Sequence, residues 1–170
     1  MIRPIQKDIF FLRKKALPAT AADISVANDL RDTLTAHAHE CVGMAANMIG
    51  VQKSVIGFFR DDKYMEMFNP RLVSKAMPYE AEEGCLSLTG TRKTTRYNLI
   101  TVRYQDRAFK EKQEVFTGFT AQIIQHELDH LDGVLFSDRV SSDDARKIRG
   151  DLDRLKREGQ TKNFRRSKRI

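Results

Sequence analysis

A pentapeptide in the second half of the chain combines two histidines with carboxylates at a spacing that suits metal chemistry. The stretch is His126-Glu127-Leu128-Asp129-His130, an H-E-x-x-H sequence. On a helix, residues four apart lie on one face a turn from each other, so both imidazoles can reach one metal ion. A glutamate beside the first ligand can accept a proton from water that the metal activates. A charged helix with two surface histidines has the same spacing, and the pentapeptide alone leaves both interpretations open.

A third ligand must come from elsewhere in the chain, because catalytic metal sites usually hold three protein ligands and one water or substrate. The best candidate is Cys85, which follows a glycine in Glu83-Gly84-Cys85-Leu86-Ser87. A glycine allows a close backbone approach, and a thiolate is a strong, soft ligand. Cys41 competes, since it stands four residues after His37, but its favoured interpretation is a small buried residue at a helix end. We expect His37 and His39 to be surface or interface residues near a helix C-terminus.

Composition indicates one compact domain. The chain has 170 residues, a hydrophobic fraction of 41% and a net charge of +7. These values disfavour a disordered or fibrous chain, and the charge suggests anionic partners. Two cysteines give no disulfide framework, and neither an apolar signal core at the N-terminus nor a membrane-length apolar run is present, so we expect a reducing cytoplasm. The predicted boundaries are a catalytic domain over 1–159 and a basic, flexible tail over 160–170.

The elements that would position these residues alternate between helices and short strands. The metal helix is predicted to begin near Thr117 or Thr120 and to end near Gly133. A second, amphipathic helix is predicted to follow a capping box formed by Thr20 and Asp23. Strands are predicted at 51–59, 64–68, 99–104 and 114–116, the second of them stopped by Asn69-Pro70. Short strands around a ligand-bearing helix predict an α+β architecture.

Three stretches together resemble the motifs of the peptide deformylase family. The second motif is Glu83-Gly84-Cys85-Leu86-Ser87, and the third is the run from Gln125 to Gly133. The first motif resembles Cys41-Val42-Gly43-Met44-Ala45-Ala46-Asn47-Met48-Ile49-Gly50, and all three occur in the family order. This chain departs from the first motif twice, with Cys41 in place of a glycine and Met48 in place of a glutamine.

The resemblance implies an α+β fold of mostly antiparallel strands around a central metal-binding helix. It also implies a hydrolase that removes the formyl group from the N-terminal formylmethionine of new peptides. Cys85, His126 and His130 would hold one divalent metal ion, Fe²⁺ in cells, with Zn²⁺ or Ni²⁺ able to replace it. Glu127 would transfer the proton, and the backbone N–H of Leu86 would help to hold the developing oxyanion.

The resemblance further implies where substrate binds. Val42 and Gly43 match positions that edge the cleft and pair with the substrate backbone, and Gly84 belongs to the same set. Ile123 would form a wall of the methionine pocket. Arg96 corresponds to an arginine that flanks the substrate path, although the loop before it is one residue shorter here.

Met48 is the departure that bears most directly on catalysis. The family glutamine at this position donates a hydrogen bond to the oxyanion, whereas a methionine side chain has no donor. Loss of one oxyanion donor typically costs about 10² to 10³ in rate. Asn47 could supply the donor only if the loop shifted. Two alternatives therefore stay open: a metal-bearing paralogue that binds N-terminal peptides with little turnover, and a hydrolase of a different small amide.

The C-terminal stretch differs in character from the rest of the chain. Ser141-Ser142-Asp143-Asp144 is a good helix start, and the last residues are strongly basic. The basic end is either a solubilising tail or a phosphate-binding arm that contacts the ribosome through its RNA.

Overall fold

A computed structural model describes residues 1–135 and residue 170 of the chain. The helix predicted to start at Ser141, and all but the last residue of the predicted tail over 160–170, lie outside the described residues. Within the described part, the fold is α+β, as the sequence predicts.

The centre of the fold is a sheet of five antiparallel strands in the order β1-β2-β3-β4-β5. The strands are β1 Gly43–Ala45, β2 Val55–Arg60, β3 Lys63–Gly84, β4 Thr91–Gln105 and β5 Glu111–Thr117. β2 pairs with β3 only over Lys63 to Phe68, whereas β4 pairs with β3 as far as Gly84. Among the described residues, no strand covers the other edge of β3 over 71–84, and β1 is the edge strand at one side of the sheet.

The prediction that Asn69-Pro70 ends a strand is wrong, because β3 continues through these residues to Gly84. The pairing with β4 shifts register between Phe68 and Arg71, which is the kind of bulge where a sheet tolerates proline. Asn69 adopts a left-handed backbone with φ of 50°. Its side-chain amide donates to the carbonyl of Ala19 at 2.9 Å and to Gln105 Oε1 at 2.7 Å, so tertiary contacts hold the bulge.

Over residues 1–135, three α-helices accompany the sheet: α1 Ile9–Leu12, α2 Ile24–Ala36 and α3 Gly118–Leu131. A short 3-10 helix, Ala21–Asp23, precedes α2, and the backbone N–H of Thr20 donates to the Asp23 carboxylate at 2.8 Å. This contact confirms the predicted capping box. α3 starts directly after Thr117, and its C-terminal turn reaches Gly133, whose φ of 70° suits a helix end. No helix of the described part is long and apolar enough to cross a membrane.

Two apolar clusters hold these elements together. One packs α3 against the sheet through residues such as Phe58, Phe116 and Ile124. The other packs α2 against the segment after β1, through residues such as Leu30 and Leu34. Helix α3, which carries His126 and His130, therefore lies inside the protein. Its buried polar side chains need hydrogen-bond or metal partners there.

Candidate metal centre

The buried face of α3 carries both histidines of the pentapeptide. His126 and His130 are each 2% exposed, and Glu127 is fully buried. Surface histidines on a charged helix would be solvated. The burial of His126 and His130 therefore excludes the alternative that the pentapeptide is a charged helix with two surface histidines. Ionisable groups are buried at this depth only when they pair or bind a ligand.

Cys85 comes immediately after β3 and meets the two histidines. Its Sγ lies 3.3 Å from His130 Nε2, which lies 3.2 Å from His126 Nε2. Among the described residues, these three form one group whose donor atoms all lie within 4.8 Å of one another. A tetrahedral ion with normal bond lengths needs N–N separations of roughly 3.3 Å and S–N separations of roughly 3.6 Å. The donor set and its spacing therefore fit a divalent metal.

The protonation state of His130 also suits a ligand. Burial lowers the pKa of His130 well below its usual value, and the nearby His126 and Arg96 lower it further. A metal needs a neutral imidazole with a free nitrogen lone pair, which this environment favours.

Glu127 has an unusual environment for a carboxylate. Neither of its oxygens has a hydrogen-bond partner among the described residues. Burial raises the pKa of Glu127 well above its usual value, and the negative charge of Glu83 raises it further. A raised pKa moves a carboxylate toward the range in which it can both accept and return a proton at neutral pH.

A buried ionic network lies behind the histidines. Glu83 Oε1 accepts a hydrogen bond from His126 Nδ1 at 2.9 Å, which leaves Nε2 for a metal. Arg96 donates to both oxygens of Glu83, at 2.8 and 2.7 Å, and to Asp129 Oδ2 at 2.7 Å. The Arg96 and Glu83 side chains are 3% and 0% exposed. The network therefore joins β3, β4 and α3 through charge-assisted bonds.

Charge pairing fixes Glu83 in its ionised form. Burial by itself would raise the pKa of Glu83, but the hydrogen bonds from Arg96 and His126 outweigh it and lower this pKa to about 2. These contacts engage all three nitrogens of the Arg96 guanidinium inside the protein. The expected contact of Arg96 with substrate thus gains no support, and its ion pairs favour a role in positioning.

Asn47 and Met48 lie beside the metal centre but face different groups. The Asn47 side-chain amide donates to the backbone carbonyl of His130 at 2.9 Å, so it anchors α3. This bond uses one of the two N–H donors of the Asn47 amide and holds the side chain against α3. Met48 is fully buried in the cluster that contains Cys85, and its carbonyl accepts a hydrogen bond from the N–H of Gln6 at 2.7 Å. The N-terminal arm therefore holds the altered position in place.

Gly43 packs directly against the catalytic face of α3. A Cβ atom placed on it would lie 2.6 Å from Ile123 Cγ2 and 2.8 Å from Glu127 Oε1. Only a glycine leaves room for both side chains. Val42 and Ile123 belong to the same apolar cluster.

The competing ligand candidates have other partners. The buried Cys41 thiol donates to the carbonyl of Gly43 at 2.9 Å, and burial with the charge of Glu127 raises its pKa, which keeps it protonated. His37 Nδ1 lies 2.9 Å from Glu40 Oε1 in a partly exposed pair, and the side chain of His39 is 75% exposed. These positions agree with the interpretations favoured for all three residues.

The remaining predicted residues flank the thiol. Leu86 follows Cys85 and is half-buried. Gly84 is buried, and its carbonyl accepts a hydrogen bond from the N–H of Ile170 at 3.1 Å.

Sequence reasoning gave no role to several residues that build the site. Glu83 and Asp129 lay inside the quoted motifs, yet they were not assigned as partners of an arginine. Gln125 was also passed over, although its side-chain amide pairs with the backbone of Tyr97 at 2.8 and 2.9 Å and ties α3 to β4. For Glu83 a signal is present in the sequence, because it alternates with Tyr79, Ala81 and Cys85 on one face of a strand.

A Cys-His-His donor set, beside a buried carboxylate with no hydrogen-bond partner in the described part of the chain, indicates a metallohydrolase. The sequence profile of the polypeptide deformylase family matches residues 2–146. A peptide deformylase of Clostridium beijerinckii is 54% identical over 135 residues, which cover 79% of this chain and 99% of that protein.

Solved structures agree with this match. The crystal structure of a peptide deformylase from Legionella pneumophila has a TM-score of 0.81 and 33% identity, and it covers 95% of this chain and 99% of its own. A Met-Ala-Ser-bound class I type b peptide deformylase from Acinetobacter baumannii has a TM-score of 0.76 and 27% identity, over 82% of this chain and 99% of its own. The chain belongs to the peptide deformylase family, whose members are metallohydrolases.

Proposed function

We propose that this protein removes the formyl group from the N-terminal formylmethionine of newly made peptides, with Cys85, His126 and His130 as metal ligands. The observation that carries the proposal is the convergence of these three buried donors beside Glu127, whose carboxylate has no hydrogen-bond partner among the described residues. The family match supplies the substrate class.

The ligand set supports one divalent ion, which we assign as Fe²⁺ in cells, with Zn²⁺ and Ni²⁺ as replacements. A thiolate with two imidazoles accepts all three of these metals. When bound, such a metal lowers the pKa of a water molecule and polarises the formyl oxygen. Glu83 contributes by holding His126 through Nδ1, so that the imidazole presents Nε2 to the site.

Glu127 carries the proton through the reaction in this proposal. Its carboxylate accepts a proton from the attacking water while the new carbon–oxygen bond forms. It then returns that proton to the departing amine as the carbon–nitrogen bond breaks, so formate and a free N-terminal amine result. The raised pKa of Glu127 supports this exchange, because burial makes its carboxylate a better proton acceptor than a solvated one.

The substrate peptide would lie between two uncovered strand edges. β1 is the edge strand next to Val42 and Gly43, and β3 ends at Gly84 with no strand on its outer edge among the described residues. An extended peptide can add main-chain hydrogen bonds to such edges. Ile123 and Val42 then supply an apolar wall for the methionine side chain.

Stabilisation of the oxyanion is the step in which this chain differs from the family pattern. The N–H of Leu86 is the proposed donor, and Met48 adds none. Asn47 gives its amide to His130 instead. We therefore propose a working deformylase whose rate is limited by the missing donor.

A cytoplasmic location is a further part of the proposal, and it rests on the two cysteines, which give no disulfide framework. Contact with ribosomes rests on the basic sequence from Lys162 to Arg169, which suits phosphate groups. Removal of 160–170 should weaken ribosome binding at low salt. Equal ribosome binding by the full-length and the shortened protein across a salt series would contradict a role of the basic stretch in ribosome contact.

The decisive experiment is an anaerobic assay of iron-loaded protein with formyl-Met-Ala-Ser. Acetyl-Met-Ala-Ser and unmodified Met-Ala-Ser serve as controls for the acyl group. We expect formate release from the formylated peptide only. Full metal content without formate release would favour a peptide-binding paralogue, and release of acetate would favour a different amide substrate.

Matched variants separate metal binding from proton transfer. His126→Ala should lose metal and activity together, because it removes one of three ligands. Glu127→Gln should keep metal at wild-type stoichiometry and lose turnover, because an amide cannot accept the proton. Wild-type metal affinity in His126→Ala would reject the assigned site.

A further inference from the structure

Ile170 occupies a buried position far along the chain from the residues it contacts. Its side chain is 1% exposed and belongs to the apolar cluster that contains Val42 and Ile123. Its backbone N–H donates to the carbonyl of Gly84 at 3.1 Å. One isoleucine thus makes both an apolar and a main-chain contact.

The main-chain contact falls on a residue of the proposed substrate site, and the apolar cluster that includes Ile170 also includes two residues of that site. Gly84 lies at the end of β3, where the outer edge of the strand has no strand partner in the described part of the chain. Val42 and Ile123 border the pocket assigned to the methionine side chain. A bound peptide would use the same two features, a main-chain hydrogen bond on the strand edge and an apolar residue against the pocket wall.

We propose that Ile170 is an intramolecular competitor of the peptide substrate, docked against Gly84 and the apolar wall of the cleft. The inference rests on the proposed function, because it uses the substrate site assigned there. A peptide must displace Ile170 before it pairs with Gly84. Ile170 therefore lowers the affinity for substrate, while the metal ligands and Glu127 keep their roles.

Competition of this kind has a defined kinetic signature. Apparent affinity falls by the fraction of molecules whose site is open, and the chemical step is unaffected once substrate has bound. An isoleucine side chain buried on an apolar wall is held mainly by its apolar area. Replacement of this side chain by a smaller or a charged one should release residue 170 from the substrate site. KM should then fall, and kcat should stay constant.

The kinetic test compares Ile170→Ala and Ile170→Asp with wild type in the holoenzyme. We expect KM for formyl-Met-Ala-Ser to fall about threefold to tenfold with kcat unchanged, and Asp to act at least as strongly as Ala. Ile2→Asp is the control for added charge, since Ile2 is 62% exposed, and it should keep the wild-type KM. An unchanged KM in both Ile170 variants, with wild-type melting temperatures, would overturn the inference.

A binding test is independent of turnover. In zinc-loaded protein labelled with ¹⁵N-isoleucine, the Ile170 amide is identified by its loss in Ile170→Leu. This amide should be protected from hydrogen exchange, and saturating Met-Ala-Ser should remove the protection. Exchange at the rate of an unstructured peptide, or protection unaffected by Met-Ala-Ser, would refute docking in the cleft. Protection without any deformylase activity would instead reject the proposed function and leave the docking intact.

Discussion

Replacement of Arg96 by methionine tests whether the ionic network behind the histidines controls the metal centre. The guanidinium is the shared partner of Glu83 and Asp129, with three hydrogen bonds of 2.7 to 2.8 Å. Methionine fills much of the same volume and carries no charge. The variant therefore leaves two carboxylates, one of them fully buried, without their cation.

The size of the effect follows from that burial. Loss of one partner from a buried ion pair costs about 3–5 kcal/mol, because the remaining charge is uncompensated. For a chain of this length each kcal/mol moves the melting temperature by about 2–4 °C, so we expect a fall of roughly 6–20 °C. Glu83 also orients His126, so we expect metal affinity to fall about 10- to 100-fold.

Thermal melting and metal titration measure these two effects. Arg103→Met is the matched control, because Arg103 lies on the same strand, is exposed, and makes one 3.3 Å side-chain bond to Gln113. It should change stability by less than about 0.5 kcal/mol. Arg96→Lys should recover only part of the loss, since an ammonium lacks the planar fork that binds both carboxylates.

A double mutant separates the contributions of the two carboxylates. In a Glu83→Gln background, Arg96→Met should cost less than it does in wild type, because one of the stranded charges is already gone. Arg96→Met with wild-type melting temperature and metal affinity would refute the positioning role. If Arg96→Met caused the same loss of stability and metal affinity in both backgrounds, Glu83 would not be the residue through which Arg96 acts.

The other predictions concern the catalytic face and acid stability. Gly43→Ala should lower kcat at least about tenfold in a steady-state assay, because its methyl group displaces Ile123 or Glu127, and wild-type kcat would contradict the packing. Met48→Gln should raise kcat by up to about 10²-fold at constant metal loading, because it adds an oxyanion donor, and an unchanged kcat would show that another group compensates. The folded-state pKa of Glu83 is about 2, below its value of 4.5 when unfolded, so its ionised form stabilises the fold above pH 4.5, and this contribution is lost as pH falls through 2. Urea unfolding of metal-free wild type and Glu83→Gln should therefore show a gap in free energy that shrinks by about 3 kcal/mol from pH 5 to pH 2, and a constant gap would contradict the lowered pKa.

Local patterns in the sequence predicted the elements that carry the ligands. The helix over Gly118–Leu131 was predictable because its apolar period, its Thr117 start and its glycine end are all local signals. The coarse fold class followed from alternating short strands and helices. Cys85 was the preferred third ligand from the residues themselves, because it follows a glycine, and the family resemblance added to that preference over Cys41.

Features that depend on strand register could not be predicted. Arg96 is 13 residues from Glu83 and 33 from Asp129, and the three meet only because β3 pairs with β4 and α3 packs against both strands. The continuation of β3 through Asn69-Pro70 depends on hydrogen bonds to Ala19 and Gln105, which are distant in sequence. In both cases tertiary contacts outweigh the local preference of the residues.

The uncovered outer edge of β3 has a consequence for behaviour at high concentration. Residues 71–78 are all exposed, and they include Leu72, Val73 and Met77 at 40%, 51% and 61% exposure. An apolar strand edge of this kind can pair with the same edge of a second molecule and begin aggregation. Pro78, which has no N–H to donate, and the positive charge of Lys75 oppose that pairing. Neutral or β-branched residues at these two positions would turn the edge into a self-association surface.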